Sequence, residues 1–325
     1  MDTMDLDALS KEERTDILAT MADLYYNQQL TQIEIAKRFD TTRFKVAKLI
    51  QDARDEHVVE IKVNFSNERN RALEDKLRAA FGLTAARVVN TRYASFIEGL
   101  KELGQIGAMR LSELLNECDA ATLGITWGKS IQAVIEQLPQ ETHPEMSAVQ
   151  LAGNFDSARP TSESYDLVRE TAAKCLGTPY HLNAPLYIKS DALRHELMAE
   201  PDLMRTITRA GSLEIALTGI AANSSLPALN PRFSAYLTDE DRSLAATSPG
   251  AIFGYTLDEH GEVADTPLNR KLVAVPYESL MAAPHRLGVA HGRNKARVAS
   301  LVAKSGLITE LVTDAETATL MLELA

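Results

Sequence analysis

Thr31-Gln32-Ile33-Glu34-Ile35-Ala36-Lys37-Arg38-Phe39-Asp40-Thr41-Thr42-Arg43-Phe44-Lys45-Val46-Ala47-Lys48-Leu49-Ile50 contains two helix starts in quick succession. The first is a Thr-x-x-Glu capping box, in which Thr31 and Glu34 satisfy each other's free backbone donors. Ile33, Ile35, Ala36 and Phe39 give that short helix its apolar side before it stops near Asp40. Thr42 then caps a second helix, with Val46, Leu49, Ile50 and Ala53 spaced for burial. Upstream, Ile17, Leu18, Met21, Leu24 and Tyr25 recur at helical spacing and predict a helix over 12–29. Two helices joined by a turn of a few residues, with a third in front, make a helix-turn-helix. Val58-Val59-Glu60-Ile61-Lys62-Val63 alternates and predicts a strand, a wing beside the helices.

Charge placement agrees with this geometry. The chain has a net charge of −11, yet Lys37, Arg38, Arg43, Lys45 and Lys48 face a single acid, Asp40, between residues 37 and 51. A basic face on an acidic body implies an anionic partner for that face and separate work elsewhere. In a helix-turn-helix the first turns of the second helix enter the major groove of DNA. Thr42, Arg43, Lys45 and Lys48 stand there and can donate to guanine edges or to phosphates. Gln32, at the start of the first helix of the pair, is either a phosphate contact or a plain surface residue. Capping, turn length, apolar spacing and basic placement agree, which favours DNA over a merely solvated face.

The 325 residues argue for two domains. The expected division is a helix-turn-helix domain over 1–64, a linker helix over 65–82 that ends at Gly82, and a larger domain over 83–325. Apolar residues at 45% and charged residues at 24% suit a globular chain with a sizeable core. No apolar run approaches the ~18 residues of a membrane helix. Residues 1–9 hold three aspartates and no apolar run, against a secretory signal. Cys118 and Cys175 offer no metal-site spacing, so a reducing cytoplasm is the expected location and no cofactor or metal is expected.

From Arg87 onward, apolar strands alternate with helices. Strands are expected at 87–89, 121–125, 147–151 and 213–217, with 181–186 extended. Helices are expected at 97–118, 129–138, 162–176, 191–199 and 202–210. This alternation predicts an α/β domain with a largely parallel sheet, whose ligands bind beyond the carboxyl ends of the strands. After one strand comes Gly124-Ile125-Thr126-Trp127-Gly128-Lys129-Ser130, leading into a helix. Two glycines, two hydroxyls, a lysine and free helix N–H groups favour a phosphate. Trp127 is a core filler or a surface for stacking on a ligand. Leu151-Ala152-Gly153-Asn154 ends the next strand; Asn183 and Gly219 close two others. His291-Gly292-Arg293-Asn294-Lys295 joins glycine to basic residues ahead of a helix over 298–303, where Lys295 can reach a phosphate.

The order and spacing of Leu24-Tyr25-Tyr26, Leu30 to Ala36, Val46 to Arg54 and Val58 to Ile61 resemble the N-terminal domain of the SorC/DeoR-type sugar-binding transcriptional regulators. Gly124 to Gly128 resembles that family's signature loop. Asn183-Ala184-Pro185, Gly288 to Lys295 and Thr313-Asp314-Ala315-Glu316-Thr317-Ala318 follow in order. The resemblance implies an effector domain of the fold shared with ribose-phosphate isomerases and glucosamine-phosphate deaminases. It implies a sugar, sugar-phosphate or polyol effector, and homo-oligomers, dimeric or tetrameric, that grip paired operators. It places the phosphate on Thr126 to Ser130 and Lys295, and the sugar on Gln150, Gly153, Asn154 and Asn183. Two departures stand out: His291 where the family commonly has a second glycine, and Gly250-Ala251 where Gly-Asp is common. Both point to an unphosphorylated or unusual effector, with His291 bonding a hydroxyl or filling a structural role.

Two other functions compete with an effector-responsive regulator. One is an isomerase-like enzyme using Asp156, Asp258 or Asp314 with Lys129 or Lys295, against which no carboxylate cluster stands near the glycine loop. The other is a DNA-binding protein whose large domain only oligomerises.

Overall fold

The computed structural model describes residues 10–56, 58–59, 69–90, 95–118, 121–154 and 164–325. The chain divides into two compact units, Met1–Ser66 and Asn67–Ala325.

Among its described residues the first unit is a three-helix cluster: α1 (Lys11–Tyr26), α2 (Gln32–Arg38) and α3 (Arg43–Asp55). Each starts on a hydroxyl. The capping box pairs Ser10 with Glu13 on α1 and Thr31 with Glu34 on α2, and Thr42 accepts the Lys45 N–H on α3. Helix α1 stops earlier than its apolar spacing predicts, because the side chains of Asn27 and Gln28 fold back onto Asp23 and Gln29 turns left-handed at φ 56°. Leu18, Leu24, Ile35, Val46, Leu49 and Ile50 form the core. Val58 and Val59 are not in a strand: both N–H groups bond to the carbonyl of Ala53 and close off α3. The remainder of the expected wing, 60–63, lies outside the described residues.

The second unit opens with α4 (Arg71–Phe81), capped by Asn70 and ended by left-handed Gly82. The expected start of this helix at Ser66 lies outside the described residues. Leu77 and Phe81 of α4 belong to the core of this unit. There follow β1 (Ala85–Val89), α5 (Phe96–Glu117), β2 (Thr122–Ile125), α6 (Lys129–Gln137), β3 (Ser147–Gln150), α7 (Ser164–Cys175) and β4 (Thr178–Tyr180). Next come α8 (Asp191–Met198), α9 (Pro201–Ala210), β5 (Ile215–Gly219), β6 (Ala221–Ala222), α10 (Asp239–Thr247), β7 (Gly250–Ile252) and β8 (Tyr255–Thr256). The chain finishes through α11 (Pro267–Arg270), α12 (Tyr277–Ala282), β9 (His285–Ala290), α13 (Ala296–Lys304), β10 (Glu310–Asp314) and α14 (Ala315–Glu323).

Seven strands form one parallel sheet in the order β1-β10-β9-β5-β2-β3-β4. Apolar clusters sit on both sides. One holds Leu77, Val302 and Met321 from α4, α13 and α14; the other holds Leu103, Val134 and Leu167 from α5, α6 and α7. From β2 the chain winds toward β3 and β4; from β5 it winds the other way, to β9 and β10. The order therefore reverses between β2 and β5, and a crevice opens beyond their carboxyl ends. Strands β6, β7 and β8 make a small antiparallel sheet. The segment expected to be extended over 181–186 leaves the sheet: the strand is at 178–180, paired with β3.

Candidate functional site

In the first unit, the turn between α2 and α3 is fixed by Asp40 at φ 49° and by the Thr41 N–H bonding to the carbonyl of Ala36. Arg43, Phe44 and Lys48 are exposed on the opening turns of α3, while Lys45 and Gln32 are half-buried. The Arg43 Nε donates to the Gln32 side-chain oxygen at 3.3 Å, so two of the expected DNA contacts are joined. Thr42 is occupied in capping, which fixes where α3 begins. Phe44, absent from the expected contacts, leaves 84% of its surface in water. Its signal in the sequence is an apolar ring in a basic turn, outside the buried spacing of Val46 and Leu49.

In the second unit, a cavity of about 400 Å³ lies at the reversal between β2 and β5. The loop after β2 supplies Thr126, Trp127 and Gly128; α6 adds Lys129 and Ser130; the end of β5 adds Thr218 and Gly219; the loop after β9 adds His291, Asn294 and Lys295. Thr126 ties the strands together: its N–H donates to the carbonyl of Leu217, and its hydroxyl accepts the Gly219 N–H at 3.3 Å. Gly128 takes φ 116°, a conformation that side chains strain, and no side chain among the described residues caps α6. The first N–H groups of α6 thus have no acceptor inside the helix and carry its positive end.

Lys295 is half-buried and pairs with no carboxylate among the described residues; burial pushes its ammonium down to about 8. Its neighbour Arg293 is engaged with Glu316 at 3.3 Å. His291 is buried, with its ring 4.8 Å from that of Phe96 and its Nδ1 2.9 Å from Asp314. Burial alone would raise the Asp314 carboxyl, but hydrogen bonds from His291, Thr317 and Gly292 outweigh it and hold it well below the usual carboxylate range. Gly292, at φ 101°, turns its N–H onto Asp314 and the Thr317 hydroxyl.

Several expected effector residues lie elsewhere. Gly124 is inside β2, where an added Cβ would stand 2.4 Å from the Leu151 side chain; its smallness serves packing. Gln150 is fully buried and spends its amide on the carbonyl of Ala152, the Asn154 side chain and the N–H of Leu182. Gly153 and Asn154 bond through their backbones to Val273 and Ala184, and Asn183 is exposed; none of these lines the cavity. Phe96, Thr218, Phe253 and Asn294 line it without having been singled out. Of these, Thr218 was within reach, as the residue before a strand-ending glycine. Of the rival catalytic carboxylates, Asp258 accepts two N–H groups of its own turn, Asp314 holds His291, and Asp156 lies outside the described residues. A wider hollow of about 820 Å³, among Tyr255, Glu262, Asp265, Arg270, Tyr277 and Glu278, mixes charges of both signs, and no carboxyl end of the seven-stranded sheet reaches it. No helix among the described residues is long and apolar enough to cross a membrane.

Residues 66–323 match the family described as "Putative sugar-binding domain". The chain is 27% identical to the sorbitol operon regulator of Klebsiella pneumoniae, over 94% of this chain and 98% of that one. It is 28% identical to the transcriptional regulator LsrR of Escherichia coli O139:H28, over 94% of each. The crystal structure of full-length SorC from Klebsiella pneumoniae superposes with a TM-score of 0.71 at 25% identity, covering 97% of this chain and all of that one. A transcriptional regulator from Streptococcus pneumoniae TIGR4 shares the fold of the larger unit at a TM-score of 0.72 and 21% identity, covering 78% of this chain and 97% of its own. These relatives are regulators, not enzymes.

Proposed function

This chain belongs to the SorC/DeoR-type family of sugar-binding transcriptional regulators, and on that premise we propose that its two units divide operator recognition from effector sensing. Helices α2 and α3 act as the helix-turn-helix, with α3 in the major groove. Arg43, Lys45 and Lys48 contact bases or phosphates there; Gln32 steadies Arg43 and Thr42 sets the start of the helix.

The cavity between β2 and β5 takes a sugar or polyol phosphate. The observation that carries this is the convergence, at the reversal of strand order, of the start of α6 with Lys295, neither of which has a side-chain partner for its charge among the described residues. Lys129, Ser130, Thr126 and Gly219 complete the anion side and Trp127 shapes the wall, whereas Gly292 does not line the cavity and serves by bonding Asp314; the doubly wound sheet supports kinship with the isomerase and deaminase fold. Copies pair through the larger unit and present two α3 helices to half-sites about one helical turn apart, or a multiple of it. Effector that favours one arrangement shifts the population toward it.

The deciding experiment is thermal unfolding against hexoses, hexitols and their 6-phosphates. A ligand present at a hundred times its dissociation constant adds about 2.7 kcal/mol, a clear shift. A shift with a phosphate ester that Lys295→Ala abolishes supports the assignment. A shift with free sugars alone removes the anion role of the α6 start, and a flat panel removes the effector role of the cavity.

A further inference from the structure

His291 presents a buried polar atom that no described residue uses. Its Nδ1 meets Asp314 at 2.9 Å, while its Nε2 has no hydrogen-bond partner among the described residues. The residue is 7% exposed, and it lines the effector cavity. Buried polar atoms are nearly always satisfied, so an orphan on a side chain that lines a cavity asks for a ligand group.

The direction of that bond is fixed by Asp314. Its carboxylate receives the Thr317 N–H at 2.8 Å, the Thr317 hydroxyl at 2.7 Å and the Gly292 N–H at 3.0 Å, so it acts as an acceptor. The hydrogen between the two side chains therefore belongs to Nδ1, and in the neutral ring Nε2 carries the lone pair. Phe96, its ring tilted against the imidazole at 4.8 Å, and the 2.9 Å hydrogen bond to Asp314 hold the ring in place. To the neutral ring a phosphate oxygen offers Nε2 only another lone pair, and an ammonium group would have to share the cavity with Lys295 and Lys129. A hydroxyl fits both neighbours.

We infer that His291 reads one free hydroxyl of the effector: its Nε2 accepts that O–H, and Asp314 positions the ring. This rests on the cavity being the effector site and adds a selection rule to it. The ligand carries an anion for the start of α6 and Lys295, and one unmodified hydroxyl that a deoxy or O-methyl analogue lacks.

The test uses the full chain and a panel of D-glucose 6-phosphate, D-fructose 6-phosphate, D-sorbitol 6-phosphate and D-mannitol 6-phosphate, each with its monodeoxy analogues. Binding is measured by calorimetry for the wild type, His291→Phe and His291→Asn. The Asn variant keeps a donor toward Asp314 while withdrawing the Nε2 acceptor, so it guards against a folding failure in the Phe variant, and circular dichroism checks both. Expected is one deoxy position that weakens wild-type binding by roughly 10-fold and both variants by less than about twofold. Should the variants discriminate at every position as the wild type does, His291 reads no hydroxyl, and the effector site stands without it. Should no compound bind the wild type, the effector assignment falls and this inference with it.

Discussion

At the scale of single residues, Lys295 has a consequence in pH. Burial lowers its ammonium from 10.5 to about 8 in the folded chain, whereas the unfolded chain holds that proton up to the ordinary value. Between pH 8 and 10.5 the unfolded state therefore binds more protons, and stability rises with pH across that window. Lys295→Met removes this slope, and urea unfolding of both proteins below and above pH 8 measures it. A phosphate beside Lys295 reverses the balance by favouring the charged form. Phosphate-ester binding should then take up a proton near pH 8 and weaken as the pH rises through it, which calorimetry in buffers of different ionisation heat reads directly. Phe44 gives a second prediction at this scale. Its exposure predicts that Phe44→Ala keeps the melting temperature but weakens binding to operators with a thymine methyl at its position. Arg43→Ala with Lys45→Ala instead flattens the salt dependence, by roughly 0.9 in log–log slope per lost phosphate contact. Competition with uracil-substituted operator separates the two effects.

At the scale of elements, α5 is tied to β10 by charge. Arg110 holds Glu310 through two bonds of 2.7 and 3.0 Å, and His285 adds a third at 2.8 Å. Burial would raise the Glu310 carboxyl, yet these partners outweigh it and lower it below 4.5. The linkage stabilises the fold above the ordinary carboxylate range and is lost as the pH falls through the lowered folded value. Arg110→Met leaves the buried Glu310 with His285 alone, and breaking such a buried pair typically costs about 3–5 kcal/mol, an upper bound while His285 remains. Expected is a melting temperature lower by roughly 2–4 °C per kcal/mol, with part of the loss recovered by Glu310→Gln in the same chain. No recovery in the double variant would mean that packing, not charge, holds α5.

Elements with self-contained signals were legible in the sequence. Thr31 with Glu34, and Thr42, cap helices because each acts within one turn. Gly82 ends α4 by its own left-handed turn. Short strands such as β6 and β8 have no periodicity of their own and exist by pairing with β7. The site was legible where neighbours in sequence are neighbours in space, as from Thr126 to Ser130. It was not where a glycine or amide served the sheet: Gly124 and Gln150 bear the marks of a ligand loop, but packing and backbone bonds use them up.

For the whole molecule, the proposed function makes a thermodynamic demand. If effector alters operator affinity by some factor, operator must alter effector affinity by the same factor. Coupling of about 1–3 kcal/mol corresponds to roughly 5–150-fold. The sugar phosphate that shifts thermal unfolding is therefore titrated in the presence and absence of operator duplex, and the duplex in the presence and absence of the sugar phosphate. Equal factors are expected in the two directions. Lys295→Ala tests the cavity within the same cycle, because Lys295 belongs to the second unit whereas Arg43 and Lys48 belong to the first. Operator affinity of the effector-free variant should stay near that of the wild type while the coupling factor falls toward one. An unchanged factor would place the sensor outside this cavity even if the protein responds to sugars. A lost operator affinity would mean that Lys295 supports the fold or the pairing of copies, and Lys129→Ala, at an exposed position, then decides whether the α6 start senses the anion.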